Sequence, residues 1–152
     1  MDRLDRHLLD LLQRDVSLSL EAVGEAVGLS RNACWRRLRR LEEAGFITGR
    51  VALLDPQRVN LGLTVFVAVR TSQHNAAWAE AFKRATDAMP EIQGVYRTSG
   101  ELDYLIKARV PDVAAYDALY QRLIQKVDLA DVSASFVMEE LKESTVLPLS
   151  YA

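Results

Sequence analysis

The sequence predicts an α+β protein in two parts: three short helices, then an alternating β-α-β-β-α-β run. Three observations carry this. Up to Leu41 apolar residues recur at three- and four-residue steps. Two-residue alternation first appears at Leu63. Between the two regions lies a stretch punctuated by Gly49, Pro56 and Gly62.

In the first helix Leu4, Leu8, Leu11 and Leu12 fall at i, i+4, i+7 and i+8, with Asp2 placed to cap it. Ser19 caps a second helix whose apolar positions are Leu20, Val23, Ala26 and Val27, and Gly28 suits its left-handed stop. Ser30 caps a third helix that ends at Gly45. Only Gly28-Leu29-Ser30 joins the last two, the spacing of a helix-turn-helix. "FITGRVALLDP" then places two β-prone pieces around Thr48-Gly49, read as a small wing or linking strand. The domain boundary is set there, giving 1–55 and 56–152.

In the second part Leu63–Thr71 reads as a strand with Leu63, Val65, Val67 and Val69 on one face. Trp78, Phe82, Ala85 and Met89 mark a helix before Pro90. "IQGVYRTSG" and "DYLIKARV" form a hairpin about Glu101-Leu102. Val113, Tyr116, Tyr120, Leu123 and Val127 mark a further helix, and "VSASFVMEELK" a closing strand. This order is the ferredoxin-like arrangement.

Composition narrows the function. Apolar residues make up 49% and charged residues 26%, ordinary for a globular protein. Runs such as Leu61–Val69 and Val132–Met138 are too short to cross a bilayer, and the charged, amphipathic N-terminus has no signal core. A cytoplasmic protein without membrane contact is expected. The single cysteine, Cys34, excludes an internal disulfide, and with only His7 and His74 there is no zinc spacing. No metal and no cofactor are expected. No nucleophile elbow, phosphate loop or dinucleotide fingerprint occurs. Glu42-Glu43 and Glu139-Glu140 are adjacent pairs whose side chains diverge, so no catalytic residues are assigned.

Charge is uneven. The chain carries 19 basic and 21 acidic residues, yet within Ser30–Arg50 six arginines face only Glu42 and Glu43. On a helical wheel Cys34, Leu38 and Leu41 share the core side, with Arg37 at its edge. Asn32, Arg36, Arg39 and Glu43 lie opposite, with Arg40 and Trp35 on the flanks. An arginine-rich face is by itself only a solvated face. In the second helix of a helix-turn-helix it belongs to the element that enters the major groove. Arginine forks suit guanine edges and phosphates, Asn32 suits adenine, and the free N–H groups at the helix start suit phosphate. The expected contacts with double-stranded DNA are Ser30, Arg31, Asn32, Trp35, Arg36, Arg39 and Arg40. For Trp35 packing under the following segment is the competing expectation, and the favoured one. Cys34 is expected to be a small buried hydrophobe.

"LDRHLLDLLQRD", "SLEAVGEAVGLSRNACWRRLRRLEEAGFI", "VALLDP", "TSGELDYLIKARVPD" and "FVMEELK" together resemble the Lrp/AsnC family of transcription regulators, in order and over nearly the full chain. "CWRRLRRLEEAG" and "VALLDP" are similar to its cysteine-responsive branch. The resemblance implies a winged helix-turn-helix joined to a ferredoxin-like effector domain. It implies a regulator of amino-acid metabolism, and dimers that assemble to octamers or higher with the effector between them. Its effector pocket carries a G-x-x-D-Y pattern, matched here by Gly100, Asp103 and Tyr104.

Read on residues alone, that stretch is a turn, with Gly100 free to take positive φ and Asp103 as a cap. Thr98, Ser99, Glu101 and Asp103 also gather hydroxyls, carboxylates and backbone N–H groups, which a zwitterionic amino acid needs. The expected effector residues are Thr98, Ser99, Gly100, Glu101, Asp103 and Tyr104. A homodimer is expected because the first and last strands are apolar on more than their helix-facing side. Its two-fold symmetry would place half-sites about 34–36 Å apart. Two other readings stand beside this one. A small ferredoxin-like dimeric enzyme of monooxygenase or isomerase type lacks a general base here. An architectural DNA binder without effector would use the same arginine helix.

Overall fold

The computed structural model describes residues 1–152, which divide into two compact units. One comprises Met1–Ala52 with Leu141–Ala152, the other Leu53–Glu140.

The first unit holds helices α1 (Arg3–Arg14), α2 (Leu20–Val27) and α3 (Arg31–Glu43). Asp2 and Asp5 form a reciprocal capping box at the start of α1. The Asp5 backbone N–H donates to Asp2 Oδ1 at 2.8 Å and the Asp2 backbone N–H to Asp5 Oδ2 at 3.0 Å. Ser19 Oγ accepts the Ala22 N–H at 3.1 Å, and Ser30 Oγ the Ala33 N–H at 3.3 Å. Gly28 takes φ +71° and ends α2 with paired return bonds, Gly28 N–H to the Glu25 carbonyl and Leu29 N–H to the Gly24 carbonyl. The left-handed stop read from sequence is therefore present. Leu8, Val23, Val27, Cys34, Leu38 and Leu41 form the buried core.

The wing does not form. Phe46–Asp55 contains no strand, and Val51, Leu53 and Leu54 are exposed. A β-prone segment becomes a strand only with a neighbour to take its N–H and C=O groups, and none lies beside it. The tail departs from the expected 56–152 grouping. Gln13 exchanges two bonds with the Leu147 backbone, each 2.9 Å, and Arg6 donates to the Ala152 carbonyl at 2.8 Å.

The second unit is the expected β-α-β-β-α-β run: β1 (Leu63–Arg70), α4 (Ala76–Asp87), β2 (Ile92–Arg97), β3 (Tyr104–Val110), α5 (Val113–Ile124) and β4 (Asp131–Phe136). The sheet is antiparallel in the order β2-β3-β1-β4. Val65, Val67 and Val69, with Ile106, Ala108 and Val110 of β3, face Trp78, Phe82 and Ala85 of α4 and Leu119 and Leu123 of α5. Val113 is exposed and Leu119 is buried, so α5 is turned slightly from its expected face. The last strand stops at Phe136 rather than Leu141. Val137 donates to the Thr64 carbonyl, and β1 offers no partner beyond its own first residues.

Candidate DNA-contact helix and effector cavity

Helix α3 buries Cys34, Leu38 and Leu41 and leaves Asn32, Arg36 and Arg39 exposed. Burial pushes the Cys34 thiol pKa up, which keeps it protonated and unreactive. The arginines divide by partner. Arg37 Nη1 reaches Asp5 Oδ1 at 2.7 Å and also Asp2, while Arg40 Nη2 lies 2.9 and 2.8 Å from the two Asp5 oxygens. Asp5 is only 1% exposed, so these two arginines clamp α3 to a buried carboxylate at the start of α1. Burial works to raise the Asp5 pKa, but the Asp2 N–H, Arg37 and Arg40 outweigh it and hold it below the ordinary value. Asp2 is lowered to about 2, first by the Asp5 N–H and then by Arg37.

Of the expected contact residues, Ser30 serves as the cap, and Arg31 pairs with Glu21 at 2.7 Å. Arg36 has no ion-pair partner. Arg39 Nη2 lies 3.3 Å from Glu43, and its guanidinium carbon 6.0 Å from the Trp35 ring centroid. Trp35 is 52% exposed, against the favoured expectation that it packs inward. Without a wing there is nothing for it to pack under. Arg40 is engaged with Asp5, although its side chain remains 61% exposed.

In the second unit two bonds close the turn between β2 and β3 and a third ties it to β1. Thr98 N–H donates to the Asp103 carbonyl at 2.9 Å, Thr98 Oγ1 to the Leu102 carbonyl at 2.7 Å, and Asp103 N–H to the Val69 carbonyl at 3.1 Å. Gly100 sits at φ +107°, which a side chain would resist. Asp103 Oδ2 accepts the Thr71 N–H at 2.8 Å, tying the turn to the end of β1. The other oxygen, Oδ1, lies 4.0 Å from His74 Nδ1.

Beside Asp103 is a cavity of about 240 Å³ under the N-terminus of α4. Asp103 and Tyr104 line it together with Thr71, Gln73, His74 and Arg97. Its inner wall is aromatic, since Tyr104 stands 5.6 Å from Trp78 between ring centroids. Thr98, Ser99, Gly100 and Glu101 shape the turn but do not line the cavity. A more open hollow of about 440 Å³ between α5 and β4 contains none of the expected residues.

Residues 1–42 match the AsnC-type helix-turn-helix domain, and residues 64–147 match the Lrp/AsnC ligand binding domain. The chain belongs to the Lrp/AsnC family. It is a DNA-binding transcription regulator whose helix-turn-helix precedes a ligand-binding domain. Among similar proteins, the glutamate uptake regulatory protein of Zymomonas mobilis is 48% identical, covering 98% of this chain and 91% of its own. The DNA-binding transcriptional activator DecR of Escherichia coli is 47% identical, covering 98% and 99%. An AsnC family regulator from Agrobacterium tumefaciens superposes with a TM-score of 0.96 at 49% identity, over 99% of each chain. A Neisseria meningitidis regulator solved as its L-Met complex gives a TM-score of 0.95 at 34% identity, covering 99% and 98%.

Within this Lrp/AsnC regulator, sequence reasoning missed the Asp2–Asp5–Arg37–Arg40 cluster and the Thr71–His74 and Arg97 walls of the cavity. Arg97 carries a usable signal, since it ends a strand directly before the Gly100–Tyr104 turn. Asp5 carries one too, as the third residue after the capping Asp2.

Proposed function

We propose that this Lrp/AsnC regulator binds a free amino acid in the cavity beside Asp103 and that occupancy changes how its α3 helices engage DNA. The observation that carries the reading is a carboxylate and an unpaired guanidinium on one small cavity. Asp103 lines the cavity, and its Oδ1, which the turn does not use and which has only His74 Nδ1 near it at 4.0 Å, suits a ligand ammonium. Arg97 has no ion-pair partner and suits the ligand carboxylate. Tyr104 and Trp78 supply apolar contact for the side chain. Support also comes from the relative solved with L-Met and from relatives named for glutamate uptake and leucine response.

In this reading the helix-turn-helix unit binds double-stranded DNA, and the ferredoxin-like unit, Leu53–Glu140, binds effector and assembles the protein in the cytoplasm. Ser30, Asn32, Arg36 and Arg39 make the direct contacts, with Arg31 and Arg40 reaching phosphate from their ion pairs. Homodimers form through the sheet and associate further, to octamers or higher.

The test is calorimetry of the full chain against a panel of amino acids that includes methionine, glutamate, leucine and cysteine. Asp103→Asn keeps an acceptor for the Thr71 N–H and removes the charge, while Arg97→Gln alters only an exposed strand end. Each variant should weaken the best ligand by about 10- to 150-fold, the worth of a charge-assisted hydrogen bond. By reciprocity each should also lose effector-dependent change in DNA affinity. Equal affinity in wild type and both variants would place the effector elsewhere.

A further inference from the structure

Trp35, Arg39 and Glu43 stand at four-residue steps on α3 and therefore share one exposed stripe. Helical side chains lean towards the N-terminus, so each of the three lies over the one before it. The Arg39 guanidinium rests above the Trp35 ring, 6.0 Å from its centroid, and Glu43 Oε1 holds Nη2 from the other end at 3.3 Å. More than half of Trp35 is exposed, so packing into the core does not account for it.

We infer that Trp35 and Glu43 are positioning residues that hold Arg39 as a preset planar fork for one guanine edge. This rests on the reading of α3 as the DNA-contact helix. The ring limits the plane of the guanidinium through its electron-rich face. The carboxylate limits which of its edges points outward. Arg36, without either restraint, must be ordered at binding, at a cost of about two- to tenfold in affinity for such a side chain. A preset Arg39 escapes most of that cost, and only in the orientation the ladder allows. That is the condition for bidentate recognition of O6 and N7. Glu43 adds a second effect. Its negative charge next to the fork opposes approach of a phosphate, so Arg39 is biased towards base edges rather than the backbone.

The experiment selects duplexes from a randomised pool with the full-length protein. It then measures affinity by fluorescence anisotropy for the selected duplex and for each single-pair change. Arg39→Ala should flatten the preference at one G·C pair by tenfold or more, roughly the value of a good bidentate contact. Trp35→Ala should flatten the same pair by about two- to fivefold. Trp35→Phe should retain most of the preference, because a flat aromatic face remains. In an Arg39→Ala background, Trp35→Ala should add nothing. Glu43→Gln should raise affinity for unrelated duplexes and steepen the salt dependence by about one unit while lowering the preference.

Uniform weakening on all duplexes by Trp35→Ala, no effect of it, or full additivity with Arg39→Ala would overturn the inference. If Arg36→Ala and Arg39→Ala both leave binding and preference unchanged, α3 itself is not the contact helix and the broader reading fails first.

Discussion

Asp5 shows how one residue sets what its neighbours can do. Its buried carboxylate takes Arg37 and Arg40, so two of the six arginines of Ser30–Arg50 hold the unit together. Both Asp2 and Asp5 have pKa values below the ordinary 3.8, which means that folding favours their ionised forms. The stabilisation is complete above the unfolded value and declines as pH falls through the folded ones, towards about 2 for Asp2. Thermal melts followed by far-UV circular dichroism from about pH 5 to about pH 2 should show that loss. Asp5→Asn should be less stable by about 1.5–3 kcal/mol at neutral pH, because it gives up charge-assisted bonds. Its decline in acid should also be shallower than that of wild type. A parallel acid profile in the variant would show that other carboxylates set the acid limit.

At the scale of elements, the turn between α2 and α3 is decided by backbone approach. A Cβ on Gly24 would stand 2.6 Å from the Leu29 carbonyl oxygen, the group that follows the turn. Gly24→Ala should therefore push α3 away from α2 and cost about 1–3 kcal/mol, as overpacking does. On a domain of this size that lowers the melting temperature by roughly 4–8 °C per kcal/mol. Gly49→Ala meets nothing within 4 Å and serves as the control, with a change within about 0.5 kcal/mol. Differential scanning calorimetry of the two variants separates a packing requirement from a general glycine effect. The turn also relates α3 to the α1 carboxylates, so DNA affinity should fall with stability in Gly24→Ala.

For the whole molecule the sheet is the element that asks for a partner. Both helices cover one face, and Phe66, Ala68 and Leu105 on the other do not belong to that core. An antiparallel sheet tolerates water on one side, but Phe66 and its diagonal neighbour Leu105, which pairs with Ala68, gain from cover. Phe66→Glu should reduce a wild-type dimer or larger assembly to monomers in light scattering while leaving the circular dichroism intact. DNA affinity should drop with it, since two linked contacts exceed either alone. A variant that keeps the wild-type mass would show that the sheet face is not the dimer contact.

The helices of the first unit, their caps, the left-handed stop at Gly28 and the β-α-β-β-α-β order were all legible in the sequence. Each depends on local rules: apolar period, capping side chains, and glycine where φ is positive. The family was legible for a related reason, because its motifs lie along the chain in order. Placement across sequence distance was not legible. The wing failed because a strand needs a partner that β propensity does not supply, and β4 ended at Phe136, opposite Val65, because β1 runs only two residues further. Trp35 lies outside because no wing covers it. Arg40 looked like a free flank residue until the fold brought Asp5 beneath it, 35 positions away. The cavity unites Thr71 and His74 after β1 with Arg97 and Asp103 around the β2–β3 turn, and only the sheet register brings those segments together. Local periodicity determined which elements exist. Long-range pairing decided which charges remain available to a ligand or to DNA, because a carboxylate or guanidinium is free only when no distant partner reaches it.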